Sequence, residues 1–249
     1  MEKLPAALNA LDSLTKSYDI FVPSLNRKVK FKGLNTKQQK DAVKSALEKT
    51  SAGLSFSILL NSILKENCQE KVEFLLSDRS YIATCLRVLS LSPIYGKDEN
   101  KQDLTFVLAN NIPLPADFKT AEISEDNIKL TLSIPVLTRD NVINAETKKK
   151  LLPLPDNDDL PKEVVGEVYI NELVKYIDKL TIIDNGAVTE INFDELTVPQ
   201  RVQLIEKLPL TVNTRLLDYI NKVKLFERKY FTHNDNVVDV SVDPTLFTV

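Results

Sequence analysis

The chain has 249 residues, 43% of them hydrophobic and 27% charged, with a formal net charge of -3. That is enough apolar material for one large domain or two small ones, and the near-balanced charge argues against a disordered tail or a protein that coats nucleic acid. One histidine, two cysteines and five scattered glycines leave almost no material for an enzyme active site, so a non-catalytic protein without cofactor or metal is expected.

No apolar run approaches the roughly 20 residues that span a bilayer, and Met1 to Ser17 lacks the basic start and apolar stretch of a signal peptide. A cytoplasmic location is expected, and with it Cys68 and Cys85 as buried free thiols rather than a disulfide. Charge is unevenly spread. Residues 1–50 hold ten Lys/Arg against five Asp/Glu, whereas residues 151–200 hold three against eleven. Such asymmetry either orients a protein in an assembly or reflects solvated faces.

The first predicted unit is a hairpin over Asp19 to Lys32, with Pro23 to Arg27 between two apolar runs. Its second strand alternates, placing Val29 and Phe31 on one face and Lys28, Lys30 and Lys32 on the other. Gly33 ends the strand. Thr36 and Gln39 fit a capping box for a helix over 36–49, with Ala42, Val43, Ala46 and Leu47 as its apolar stripe. The density of Leu54, Phe56, Ile58, Leu59, Leu60, Ile63 and Leu64 predicts a central helix. Asp78 can cap a third, carrying Tyr81, Ile82, Cys85, Leu86 and Leu89 and ending before Pro93.

From Ser92 to about Pro161 the sequence reads as a proline-rich β section with strands at Leu104–Leu108 and Ile128–Ile134. Lys148 to Lys150 look like a helix end running into an acidic linker, which places a domain boundary near 153–161. The expected domains are 1–155, holding the hairpin, three helices and central strands, and 156–249. In the second, Glu172–Ile177 is a short helix candidate, and Leu180–Ile183 and Ala187–Ile191 flank Asn185-Gly186 as a hairpin. Thr197, Pro199 and Gln200 open a helix with Val202, Ile205 and Leu208 on its face. A second helix carries Leu216, Leu217, Ile220, Val223 and Phe226, and a last strand is expected at Val237–Val242. The class is α+β: an N-terminal β-hairpin plus helices, a central β-rich section, and a C-terminal helical hairpin with a small β element. The apolar stretch Leu246-Phe247-Thr248-Val249 is expected to dock on something.

Chemistry-bearing patterns are sparse. His233 cannot by itself supply the ligands of a histidine zinc site, and it reads as a surface or end-of-helix histidine. The glycines are too isolated for a phosphate-cradling loop. Asp156, Asp158 and Asp159 lack the glycine and later glutamate of a calcium loop. Pairs such as Glu190 with Asp194 arise in any chain this acidic. The row Arg27, Lys28, Lys30 and Lys32 has three readings: a solvated face, a contact for an acidic protein surface, or a phosphate grip with Phe21 and Phe31 for stacking. Alternation points the phenylalanines to the core and disfavours the last. A carboxylate hydrolase would require a concave pocket with two strongly perturbed acids.

Val22-Pro23-Ser24, followed by Lys28-Val29-Lys30-Phe31-Lys32-Gly33-Leu34-Asn35-Thr36-Lys37-Gln38-Gln39-Lys40, resembles the start of the T-even-type phage baseplate proteins, in which a basic hairpin runs directly into a helix. Ile128 to Leu137 is similar to that family's central strand, and Phe193 to Pro209 to its C-terminal helical hairpin. Gly33 stands where the family usually has proline, and Gln38 and Gln39 where it has acidic residues. The resemblance covers about half the chain. It implies a structural or assembly role in the hub region of a contractile phage tail, with other baseplate and tail proteins as partners and no catalytic residues to transfer. The location it implies is the virion tail or, during assembly, the host cytoplasm. The residues expected to make protein contacts are Arg27, Lys28, Lys30, Lys32, Leu246 and Phe247, and a nucleic-acid-binding, host-directed protein is the alternative.

Overall fold

The computed structural model describes residues 14–46, 52–96, 101–151 and 162–247, together with 11 and 99. The fold is α+β. Strands β1 (Ser17–Val22) and β2 (Arg27–Lys32) form the N-terminal hairpin, pairing from Ser17 with Lys32 to Val22 with Arg27. The connection closes with Asn26 at φ 51, a left-handed turn position that asparagine tolerates. Gly33 follows because space is short: a β-carbon there would stand 3.1 Å from the Tyr18 ring and 3.2 Å from Ser90 Oγ.

Three helices follow, α1 (Thr36–Ser45), α2 (Ala52–Asn67) and α3 (Arg79–Ser90). The cap of α1 is Asn35, one residue earlier than expected. Its side chain accepts from the Gln38 N–H at 2.9 Å while Gln38 reaches back to the Asn35 N–H. Ala42 is buried, but Val43 is exposed, so the apolar stripe is narrower than the sequence implies. Phe56, Leu60, Ile63 and Leu64 make α2 the central helix. Asp78 does not cap α3 through its side chain but turns to the hairpin.

The section from 92 onward is less β-rich than expected. The two-residue strands β3 (Ile94–Tyr95) and β4 (Gln102–Asp103) pair with each other. Leu104–Leu108 is not a strand, since Asp103 accepts from both the Thr105 N–H (2.8 Å) and its hydroxyl (2.6 Å) and starts a 3-10 turn over Thr105–Ala109. After a short helix, α4 (Ala116–Lys119), come β5 (Thr120–Glu125) and β6 (Ile128–Ser133), then helices α5 (Leu137–Leu151) and α6 (Lys162–Val174). The short helix expected at 172–177 is the end of α6 and the beginning of β7 (Ile177–Asp184).

Strand β8 (Ala187–Asn192) returns through Asn185 (φ 48) and Gly186 (φ 83), the two left-handed positions of a tight hairpin turn. One antiparallel sheet has the order β5-β6-β7-β8. The boundary expected at 153–161 and the acidic linker lie outside the described residues. The sheet nevertheless crosses that point, because β6 pairs with β7 from Ile128 with Ile182 to Leu132 with Ile177. Segments 1–155 and 156–249 therefore share one sheet, and one apolar cluster runs from Ile20 to Phe247.

Helices α7 (Val198–Glu206) and α8 (Leu210–Glu227) form the C-terminal helical pair, with Gln200 accepting from the Thr197 N–H at 2.9 Å as the capping pattern predicts. The strand expected over 237–242 is confined to β10 (Asn236–Val237), paired with β9 (Thr232–His233). Among the described residues no helix is long and apolar enough to cross a membrane.

Candidate functional site

The basic hairpin is anchored from below. Asp78, wholly buried, accepts from the Ser24 N–H at 2.9 Å, the Ser24 hydroxyl at 2.5 Å and the Leu75 N–H at 3.0 Å. Lys119 donates to the Ser24 carbonyl at 2.6 Å, and the Leu114 N–H to that of Pro23 at 2.9 Å. Burial pushes the Asp78 carboxyl up to about 6, against the pull of its hydrogen bonds and of Lys119.

On this support Ile20, Val22, Val29 and Phe31 face the core, while Lys28, Lys30 and Lys32 stand in solvent. The alternation holds, but it separates Arg27 from the lysines. Arg27 shares the phase of Val29 and Phe31 and pairs with Glu70 at 2.8 Å. Glu70 also accepts from the Lys30 N–H, and the Arg27 guanidinium followed by that N–H holds its carboxyl below the usual range. Phe31 is buried and stacks on Phe74 at 5.6 Å. Phe21, whose cross-strand partner is Lys28, is half-buried and packs against the apolar core.

Leu246 and Phe247 are docked, and their dock is this chain's own core. Phe247 is 1% exposed and meets the edge of Phe56 with ring centroids 5.9 Å apart. They have no surface left to offer a partner, which corrects their place among the contact residues.

A second cluster has no counterpart in the sequence reading. Asp140 of α5 is 1% exposed. One oxygen accepts from Asn61 (2.8 Å), Asn144 (3.0 Å) and Arg79 (3.0 Å), and the other faces Lys175 Nζ at 2.9 Å. Lys175 also donates to Asn144 Oδ1 at 2.8 Å and pairs with Glu172. Burial opposes ionisation of Asp140, but Lys175 and Arg79 outweigh it and hold the carboxyl low. The cluster borders a cleft of about 370 Å³, and Gly53, Ser57 and Arg79 also line a neighbouring one of about 480 Å³. Asp140 is answered by two cations and Lys175 by two carboxylates, so the arrangement ties α2, α3, α5 and α6 together.

Glu227, pushed up to about 8 chiefly by burial and further by the nearby Asp78 carboxylate, lines a cleft of about 220 Å³ whose lining does not include Asp78. Glu190 pairs with Lys179 at 3.0 Å, and Asp194 with Arg139 at 2.9 Å. His233 is exposed beside the Phe106 ring, with centroids 4.8 Å apart. Cys68 and Cys85 are free thiols, Cys85 buried and Cys68 half-buried. Among the described residues no group of three or more His, Cys, Asp and Glu side chains gathers as a metal site. Asp156, Asp158 and Asp159 lie outside them. Comparison with protein-family models, curated proteins and solved structures finds no match.

Proposed function

We propose that this chain is a non-catalytic structural or assembly protein of the hub region of a contractile phage tail baseplate, acting through protein–protein interfaces. The observation that carries the reading is the lysine face of the hairpin. Lys28, Lys30 and Lys32 are exposed on a strand whose turn is fixed by the buried Asp78 and by Lys119. A surface held in place before contact loses little freedom on binding, which suits a rigid assembly contact with an acidic face. The same stretch carries the family resemblance, since β2 passes through Gly33 into a helix capped by Asn35.

Mass spectrometry of purified tails and of baseplate intermediates from infected cells tests this. Presence in finished tails marks an incorporated subunit, and presence only in intermediates marks an assembly helper. Absence from both would sink the proposal. One observation favours the nucleic-acid alternative: Phe21 lies across from Lys28 and is only half-buried, which leaves part of its ring for a base to stack on. That reading requires affinity for DNA or RNA that falls steeply with salt, and no binding at low salt eliminates it.

A further inference from the structure

We propose that the outer edge of β8 is a docking site for an extended segment of another protein, basic and apolar in alternation, which adds to the sheet as a fifth strand. This does not depend on the phage reading.

The two edges of the sheet are treated differently. Along β5, Arg215 of α8 donates to the Ser124 carbonyl at 2.8 Å and pairs with Glu125 at 3.2 Å. Along β8, every residue from Ala187 to Asn192 is exposed except the half-buried Ile191, and no strand lies beyond it among the described residues. The phase of its backbone follows from its neighbour. The Ile183 N–H points away from β8 to the Asn127 carbonyl at 2.8 Å, so Ile183 and Val188 form a pair without mutual hydrogen bonds. Val188, and with it Glu190 and Asn192, therefore direct their N–H and C=O groups outward.

Natural edge strands are usually blunted by lysine, proline or a bulge. Ala187-Val-Thr-Glu-Ile-Asn192 has none of these, its register with β7 is unbroken, and its one charge, Glu190, is engaged by Lys179. Val188 is 62% exposed on the outer face. Beside the strand, Ile191, Leu196 and Leu204 line a groove of about 620 Å³. An added strand would send alternate side chains into this groove and over Val188, as strand addition requires.

The surrounding charge selects the occupant. With Glu190 paired to Lys179, Asp184, Glu195 and Glu206 are exposed near the edge against Lys207 alone. A second copy would set this acidic region against itself, whereas a strand carrying Lys or Arg complements it.

The test uses the full chain and a short synthetic peptide alternating lysine and valine, followed by amide-resolved NMR. The expected result is slowed exchange at the Val188, Glu190 and Asn192 amides, and binding weakened about tenfold when alternate amides of the peptide are N-methylated. Val188→Pro, which an edge strand accommodates, and Leu204→Lys in the groove should weaken it similarly. The N-methyl comparison keeps the test independent of how either variant folds. No response at those amides up to millimolar peptide overturns the proposal, as does equal binding of a glutamate–valine peptide. A dimer in sedimentation that Val188→Pro dissociates would assign the edge to a second copy and overturn it too.

Discussion

Lys175 Nζ lies 2.9 Å from Asp140 Oδ1, and both side chains are almost wholly removed from water. Neutralising the carboxylate leaves a buried ammonium facing only Glu172 and Asn144, so Asp140→Asn should cost about 3 to 5 kcal/mol. Lys175→Met should cost less, because Arg79, Asn61 and Asn144 still answer Asp140. Urea unfolding of the two variants checks the order. Because the folded-state pKa of Asp140 is depressed, its contribution is present above the unfolded carboxylate pKa and is lost as pH falls through the folded value.

Asp78 titrates in the opposite sense. Burial pushes its carboxyl up to about 6 in the fold, above the ordinary aspartate value, so the charged form is disfavoured by folding. The stability of the wild type relative to Asp78→Asn should therefore decline as pH rises from about 4 to about 6 and level off above, which a pH series of urea melts would follow. Asp78→Ala strands the Ser24 and Leu75 donors and should cost about 3 kcal/mol. Its first local symptom should be faster amide exchange in the 23–26 turn.

Phe247→Ala should destabilise the isolated chain by about 3 to 5 kcal/mol, the cost of a cavity beside Phe56. Were Phe247 a contact residue for a partner, the isolated chain would melt unchanged. Lys28→Ala, Lys30→Ala and Lys32→Ala should each alter stability by less than about 0.5 kcal/mol, because these side chains stand in solvent. Thermal melts of the four variants separate the core role from the surface role.

The two thiols should label in sequence. Burial pushes Cys85 up to about 12 and also raises Cys68, which remains half-exposed. A thiol reagent at neutral pH should modify Cys68 slowly in the folded protein and Cys85 only as the chain unfolds. Equal rates would contradict the buried position of Cys85.

Elements whose signals are local were legible in the sequence. The β1–β2 hairpin, the Asn185-Gly186 turn and the Thr197 to Gln200 helix start follow from adjacent residues and lie where expected. The lysine face followed from alternation along β2, and the same alternation along β1 sets Phe21 on the opposite side from Ile20 and Val22. The Asp140 cluster stayed hidden because its members come from distant helices. A signal does exist on α5: Leu137, Asp140, Ile143, Asn144, Thr147 and Leu151 are all buried at helical spacing, with polar residues occupying inner positions. A reading that counts only apolar residues passes over such a stripe. The sheet shared by both halves was equally hidden, since strand pairing across two intervening helices leaves no mark on either strand.

The meeting of Phe56 and Phe247 also bears on how the molecule is made. The central helix obtains one of its aromatic neighbours from the far end of the described chain, and β6 obtains its inner partner strand only after α5 and α6 have been synthesised. During translation the early hairpin and α2 precede the elements that cover them, and contacts so distant in sequence are the kind that form late in folding. Coexpressed halves split near residue 155 should accordingly regain structure only on meeting each other.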